Sequence, residues 1–176
     1  MKKLTDLANL HFTDKGTVAF EAHGYTEIYN DYIPDHGEYT LLEIGVWHGD
    51  SLRMWLDYNP EANIHAIDID EKCLNYVHPN LWQFVHIGNA TDAKFLSKVI
   101  QSMGRPNYII DDGSHRYNDI IRSFSLLYPA LKHGGYYFIE DLHAPYAEAA
   151  HLRDYLNIIV GEENIIDHGK LLIIKK

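Results

Sequence analysis

The chain has 176 residues, 46% of them hydrophobic, so it is long enough to form one domain with a substantial core. It carries 25 acidic and 15 basic residues, a formal net charge of −10, and no basic cluster apart from lysine pairs at the two termini, which argues against a nucleic-acid partner. The single cysteine, Cys73, excludes an intrachain disulfide, and no apolar stretch approaches the length of a membrane span. We therefore expect a cytoplasmic protein with no membrane partner.

Strand-like and helix-like segments alternate from about residue 40 onwards. Residues 1–38 contain short helical segments and several aromatic residues, and we expect them to form a helical cap on a core at 39–176. The predicted strands are 40–45, 63–68, 81–87, 107–111 and 135–140, and the predicted helices are 51–58, 71–76, 93–103, 118–131 and 144–160. This alternation indicates an α/β fold in which helices cover both faces of a parallel sheet. Segments 163–168 and 170–175 predict a C-terminal antiparallel hairpin, which makes a mostly parallel seven-stranded sheet.

A glycine-containing turn follows the first predicted strand. Gly45 and Gly49 allow the backbone to pass close to a ligand, and the helix that follows offers free N–H groups to an anionic group. The Gly-x-x-x-Gly spacing matches neither the dinucleotide motif nor a phosphate loop. Asp68 ends the next predicted strand, where a carboxylate can accept hydrogen bonds from a ribose diol. Each feature alone is also typical of a structural turn, but their order and spacing indicate an adenosine-type ligand.

Two predicted strands end in pairs of carboxylates. Asp111 and Asp112 end one of them, and Glu140 and Asp141 end the other. Because the carboxyl ends of parallel strands meet at one sheet edge, these side chains would repel one another unless a cation or hydrogen-bond donors neutralise them. Oxygen ligands of this kind suit Mg²⁺. The pattern therefore predicts a metal-assisted active site, with the alternative that Asp111 or Asp112 only caps the helix beginning near Tyr117.

The glycine turn and the acid after it resemble the cofactor site of class I S-adenosylmethionine-dependent methyltransferases. The resemblance implies the Rossmann-like methyltransferase fold, with Glu43, Gly45 and Gly49 around the methionine portion of S-adenosylmethionine. It places Asp68 at the ribose. Asp92, which follows the third predicted strand, stands where this superfamily has an adenine-contacting side chain.

The second half of the chain resembles a narrower group, the metal-dependent sugar O-methyltransferases that act on macrolide and other natural-product glycosides. These enzymes carry an Asp-Gly-Ser-His motif after strand four and a Glu-Asp pair after strand five, which here are 112–115 and 140–141. They also share an N-terminal Thr-Asp-Lys followed by His-x-Tyr, here 13–15 and 23–25. Three separated motifs in the right order are much more specific than a glycine turn alone.

The resemblance assigns roles to the acids and to one histidine. Asp112, Glu140 and Asp141 would bind Mg²⁺, and His115 would be the general base. A divalent cation that binds two neighbouring hydroxyls lowers their pKa, and an imidazole accepts the proton near neutral pH. Since His115 is one of 12 histidines, the alternative is a solvated surface residue. The expected activity is methyl transfer from S-adenosylmethionine to a hydroxyl of a sugar or polyol-like small molecule.

Two other functions are open at this point. One is a cephalosporin-hydroxylase-like enzyme on the same fold, although no two-His-one-carboxylate iron site stands out. The other is a non-catalytic S-adenosylmethionine-binding module that helps a partner protein. The sequence is short compared with the sugar methyltransferases that it resembles. We therefore expect an acceptor pocket that is either open or completed by a second subunit of a homo-oligomer.

Overall fold

A seven-stranded sheet forms the centre of the computed structural model, which describes residues 3–142 and 149–176. The helices in these ranges are α1 (Leu4–His11), α2 (Tyr25–Tyr29), α3 (Asp50–Tyr58), α4 (Ala93–Met103), α5 (Tyr117–Leu127) and α6 (Ala149–Val160). The strands are β1 (Thr40–Ile44), β2 (Asn63–Asp68), β3 (Val85–Ile87), β4 (Tyr108–Asp111), β5 (Tyr136–Ile139), β6 (Ile165–Asp167) and β7 (Leu172–Lys175). Within the described ranges, no helix has both the length and the apolar character needed to cross a membrane.

The strand order, β3-β2-β1-β4-β5-β7-β6, confirms the predicted fold class. Strands β1 to β5 pair in parallel, whereas β7 runs antiparallel to both β5 and β6. The chain moves outward from β1 to β3 and then returns to place β4 on the other side of β1. The carboxyl ends of β1 and β4 therefore border a topological switch point, where open α/β sheets bind their ligands.

Alternating side chains of the strands enter two separate cores. In β1, Leu41 packs with residues of α1, α2 and α3, whereas Leu42 packs with residues of α4, α5 and α6. The same alternation separates Ile110 from Ile109 in β4. It follows from the two-residue period of a strand, and it explains why apolar runs rather than alternating patterns mark the sheet. The alternation also decides which face each acid at the strand ends points towards.

Two predicted elements take a different form. The strand predicted at 81–87 begins only at Val85, because residues 79–84 form a 3-10 helix that starts with Pro79. The Nε1 of Trp82 donates to the carbonyl oxygens of Leu74 and Val77, and these bonds hold the segment in a turn. The helix predicted at 71–76 is also a 3-10 helix, Glu71–Asn75.

The remaining differences concern the ends of helices and strands. The helix predicted at 118–131 ends as α5 at Leu127, and a 3-10 turn that contains Pro129 follows, since proline lacks the N–H that would continue the helix. Of the helix predicted at 144–160, residues 149–160 are helical and 144–148 lie outside the described residues. The C-terminal hairpin is present, with β6 shorter than predicted.

A histidine pair on β2 and β3 gives the fold a pH dependence. His65 Nδ1 lies 2.9 Å from His86 Nε2, and the rings stack with centroids 5.1 Å apart. Burial, followed by the neighbouring imidazole, lowers the pKa of His65 to about 4. The unfolded chain therefore binds more protons than the folded protein between about pH 4 and pH 6.5, so stability falls as the pH decreases through this window.

We predict that His65→Gln flattens this dependence. Urea denaturation at several pH values should give a free energy of unfolding that falls less steeply below pH 6.5 than in the wild type. The decrease in slope should correspond to at most about one fewer proton taken up on unfolding. His133→Gln, which changes an exposed histidine, should keep the wild-type slope. Equal slopes in His65→Gln and the wild type would contradict the prediction.

Candidate active site

A cavity of about 1220 Å³ lies at the carboxyl edge of the sheet, at the switch point. It brings together residues from the glycine turn, from the ends of β2, β4 and β5, and from the loop at 13–23. The sequence-predicted site residues that line it are Gly45, Asp68, Asp112, His115 and Asp141. The predicted residues outside its lining are Glu43, Gly49, Asp92 and Glu140. One cavity thus borders two of the predicted cofactor residues, Gly45 and Asp68, and two of the predicted metal ligands, Asp112 and Asp141.

The glycine turn is shaped by contacts with the neighbouring loop. Gly45 has φ +102°, and a Cβ at this position would lie 2.2 Å from the carbonyl oxygen of Asp112. Gly49 precedes α3 with φ +75°, and a Cβ there would lie 2.7 Å from Cγ2 of Val77. Both positions favour glycine because of backbone conformation and close packing. In this structure the close approach at Gly45 is therefore to the backbone of the loop that carries the acids.

We predict that Gly45→Ala is far more destabilising than a matched glycine change. The left-handed backbone and the contact with Asp112 together should cost about 3–5 kcal/mol in the free energy of unfolding, measured in urea. Gly37 has φ +79° but nothing within 4 Å of an added Cβ, so Gly37→Ala should cost only about 1–2 kcal/mol. Similar losses in the two variants would show that the contact with Asp112 is unimportant.

Asp68 holds the glycine turn from the end of β2. Its Oδ2 accepts hydrogen bonds from the backbone N–H groups of Val46 at 2.9 Å and Trp47 at 3.2 Å. Its Oδ1 accepts from the N–H of Asp70 at 2.9 Å. The carboxylate lies on the cavity wall, and Oδ1, which accepts one hydrogen bond, keeps a lone pair for a ligand. Its predicted contact with a ribose stays a prediction.

Two other predicted cofactor residues, Asp92 and Glu43, do not line the cavity, and each accepts hydrogen bonds from residues of a nearby helix. Asp92 is the N-cap of α4 and accepts from the N–H groups of Lys94 and Phe95. The neighbouring residues 88–91 line the cavity instead. Glu43 is fully buried and accepts from Ser51 Oγ at 2.8 Å. An aspartate directly before a helical pattern is a recognised capping signal, which the sequence at Asp92 contained.

The acids at the end of β4 point to opposite faces of the sheet. Asp111 points towards α5, where its Oδ2 accepts from Ser123 Oγ at 2.5 Å and from the hydroxyl of Tyr137 at 3.0 Å. Burial raises the pKa of Asp111 to about 6, and these hydrogen bonds oppose the shift. Both acids border the cavity, and Asp112 has a ligand atom within 4.8 Å of those of His115 and Asp141. Asp111 is therefore held by hydrogen bonds on the α5 side of the sheet.

A buried lysine from the N-terminal segment stands between the carboxylates. Lys15 Nζ lies 2.5 Å from Asp112 Oδ2, 2.8 Å from Glu140 Oε2 and 3.5 Å from Glu43 Oε1. Burial lowers the pKa of Lys15, but the three carboxylates outweigh burial and hold that pKa well above its ordinary value. The ammonium therefore keeps its charge and neutralises part of the cluster. The Thr-Asp-Lys motif contains this residue, but no role for it was predicted from the sequence.

Two tyrosines of the same segment bind the acids at the end of β5. The hydroxyl of Tyr29 donates to Glu140 Oε1, so both oxygens of Glu140 are hydrogen-bonded to residues of the N-terminal segment. The hydroxyl of Tyr25 donates to Asp141 Oδ1 at 2.7 Å and accepts from the N–H of Asp141 at 3.2 Å. The sequence predicted these aromatics as packing residues of the cap. They pack in the core and also fix the carboxylates through their hydroxyls.

Asp112, His115 and Asp141 form a group with the geometry of a cation site. Each offers one ligand atom, and these atoms all lie within 4.8 Å of one another. His115 Nε2 is 3.7 Å from Asp141 Oδ2. Both His115 and Asp141 have positive φ, at 56° and 60°, a backbone conformation that is uncommon for non-glycine residues and recurs at active sites. The two carboxylates offer oxygen donors that fit a divalent cation, and the imidazole lies beside them.

The chain is similar to known methyltransferases. Residues 42–142 match a family model described as a methyltransferase domain. The chain is 33% identical over 152 residues to a mycinamicin VI 2''-O-methyltransferase of Micromonospora griseorubida, a match that covers 81% of this chain and 37% of that protein. It is 31% identical over 155 residues to a rhamnosyl-tetracenomycin 3'-O-methyltransferase of Streptomyces olivaceus, which covers 80% and 37%.

A solved structure extends the similarity to the fold. The methyltransferase MycE of the mycinamycin pathway, in complex with Mg, SAH and mycinamycin VI, superposes with a TM-score of 0.78 at 25% identity. This match covers 99% of the chain and 53% of the MycE chain. For the two curated relatives, the match covers only 37% of the length of each protein, so the chain spans less than half of either one. The fold and the family model agree, and the chain belongs to the methyltransferase domain family.

Proposed function

We propose that the protein is an S-adenosylmethionine-dependent, Mg²⁺-assisted O-methyltransferase that acts on a hydroxyl of a sugar in a small-molecule glycoside. The observation that carries this proposal is that one cavity contains both Asp68 and the group formed by Asp112, His115 and Asp141. A methyl donor and an activated hydroxyl must lie side by side for transfer, and a shared cavity permits this. The names of the relatives, O-methyltransferases of mycinamicin VI and of a rhamnosyl-tetracenomycin, support the choice of acceptor.

The cofactor would occupy the part of the cavity lined by Gly45, Asp68 and residues 88–91. In this proposal Glu43, Gly49 and Asp92 act indirectly. Glu43 accepts from Ser51 at the start of α3, Gly49 precedes that helix, and Asp92 caps α4. They would therefore fix the walls of the cofactor site rather than touch the cofactor.

Asp112 and Asp141 would hold the divalent cation, and Glu140 would contribute through the lone pairs that Lys15 and Tyr29 leave free. When bound, the cation would polarise the acceptor hydroxyl and lower its pKa. His115 would accept the hydroxyl proton at Nε2. Asp141 Oδ2, 3.7 Å away, would stabilise the imidazolium that results.

The remaining expectations belong to the same proposal. The net charge of −10 supports a small-molecule partner rather than nucleic acid. Cys73 is a buried free thiol, which supports a reducing compartment and thus a cytoplasmic location. A homo-oligomer is also proposed, because an open cavity would gain walls from a second subunit.

The test is a methyl-transfer assay with radiolabelled S-adenosylmethionine and pairs of acceptors, each a glycoside and its sugar-free aglycone. We expect Mg²⁺-dependent transfer to glycosides only, lost with EDTA and restored by added Mg²⁺. Calorimetry with S-adenosylhomocysteine is the independent check of cofactor binding. Absence of binding would refute the proposal, and binding without transfer to any glycoside would favour a non-catalytic module. Iron-dependent oxygen uptake would instead favour the hydroxylase alternative.

A further inference from the structure

Lys15 and the candidate cation site share a carboxylate. Asp112 accepts from Lys15 Nζ at 2.5 Å and is also a member of the group with His115 and Asp141. We propose that Lys15 is the internal counter-ion of the metal site. It is a positioning residue that holds the inner carboxylates together and whose charge lowers the affinity of the site for divalent cations. This inference rests on the proposed function, since it takes the cation to bind at Asp112 and Asp141.

The position of the ammonium is fixed by the backbone around it. The carbonyl oxygen of Lys15 accepts from the N–H of Thr26 at 3.0 Å. The residues on either side of Lys15 are also held: the N–H of His23 donates to Asp14 O at 2.7 Å, and the N–H of Gly24 donates to Gly16 O at 2.8 Å. The side chain is only 1% exposed. A cation in such a place cannot move into solvent when another cation approaches. Its charge therefore acts on the site permanently.

The charges around Lys15 determine the sign of its effect. Three acids, Glu43, Asp112 and Glu140, lie within 3.5 Å of Lys15 Nζ. Asp141 belongs to the same group as Asp112, so the acids outnumber this one lysine. A divalent ion at Asp112 would be attracted by the acids and repelled by the ammonium, and water screens both interactions only in part because Asp112 and Asp141 are partly buried. Removing the ammonium charge should therefore strengthen cation binding. A purely structural role predicts the opposite, because a loosened cluster binds a cation less well.

A set of variants separates charge from geometry. Lys15→Met keeps most of the side-chain volume and removes the charge. Tyr29→Phe removes the other hydrogen bond to Glu140 without changing any charge, so it reports the effect of geometry alone. Lys15→Met combined with Glu43→Gln removes one charge of each sign and leaves the net charge of the cluster as in the wild type.

The measurement is direct binding of Mn²⁺, followed by the loss of the free-ion EPR signal, with Mg²⁺ calorimetry as a second readout and no turnover required. We expect Lys15→Met to bind Mn²⁺ at least about tenfold more tightly than the wild type. Tyr29→Phe should bind equally or more weakly, and the double variant should return towards the wild-type affinity. Thermal unfolding of Lys15→Met should also show a larger upward shift with Mg²⁺ than the wild type.

The outcomes distinguish this inference from the proposed function. Equal or weaker Mn²⁺ binding by folded Lys15→Met would overturn the inference alone. Failure of the wild type to bind any divalent cation would overturn the proposed function and the inference with it. If Lys15→Met does not fold, the Mn²⁺ affinities of Glu43→Gln and of the double variant are compared instead. These two proteins also differ only at Lys15, in a cluster with one acid fewer. The double variant must then bind more tightly than Glu43→Gln, and equal affinities would overturn the inference.

Discussion

His115→Ala is expected to lower kcat by about 10²–10⁴-fold and to leave the affinity for S-adenosylhomocysteine nearly unchanged. The imidazole lies on the cavity wall beside Asp141, where it is placed to accept a proton from an acceptor hydroxyl. Of the residues proposed to surround the cofactor, Asp68 accepts from the backbone N–H groups of Val46, Trp47 and Asp70, and the N–H of Gly45 donates to the carbonyl oxygen of Ile67. Initial rates with radiolabelled donor give kcat, and calorimetry gives the affinity.

The matched control for His115→Ala is His133→Ala. His133 is exposed and lies after α5, away from the cavity, so its loss should leave kcat within about twofold of the wild type. Unchanged turnover in His115→Ala would remove the assigned base. A parallel loss of cofactor affinity would indicate that the substitution disturbs the loop rather than the proton transfer.

Asp141→Asn is expected to lower kcat/KM at least about a hundredfold and to weaken Mg²⁺ binding. The substitution removes a negative charge from a group whose ligand atoms lie within 4.8 Å of one another. An asparagine oxygen can still accept from Tyr25, which holds Asp141 Oδ1 at 2.7 Å, so the loop should keep its shape. Raising Mg²⁺ should restore part of the activity, because weaker binding is offset by mass action.

Asp57→Asn is the control for this change. Asp57 is a half-exposed carboxylate on α3 that pairs with His11 at the surface, and it is not among the residues that line the cavity. It should leave both kcat/KM and Mg²⁺ affinity close to the wild type. If Asp141→Asn behaved in the same way, the metal site would lie elsewhere.

The sheet and the position of the cavity were predictable because they depend on local patterns. Short apolar runs alternated with helical segments, and the acids stood at strand ends, which in a parallel sheet share one edge. The partners of those acids were not predictable in the same way. Lys15 is 97 residues from Asp112 and 125 residues from Glu140 in the sequence, so no local sequence pattern predicts that they are in contact. Only the packing of the N-terminal segment on the sheet brings them together.

The cofactor residues show a second limit of sequence reasoning. Glu43 and Asp92 were assigned from their place in a motif, but position in a motif does not decide where a side chain points. Glu43 is two residues after Leu41 in β1, so its side chain points to the same face of the sheet, into the core beside α3. Asp92 accepts hydrogen bonds from the first N–H groups of α4. Strand parity and helix capping are physical rules that apply before any resemblance, and they account for both placements.

The proposed reaction requires the methyl donor and the divalent cation to occupy the same cavity. NMR of S-adenosylmethionine labelled with ¹³C at its methyl group, bound to the protein with Mn²⁺ in place of Mg²⁺, tests this directly. We expect the paramagnetic ion to broaden the bound methyl resonance, with the broadening lost on chelation and strongly reduced in Asp141→Asn. A methyl resonance that stays sharp while both Mn²⁺ and the donor are bound would contradict the account.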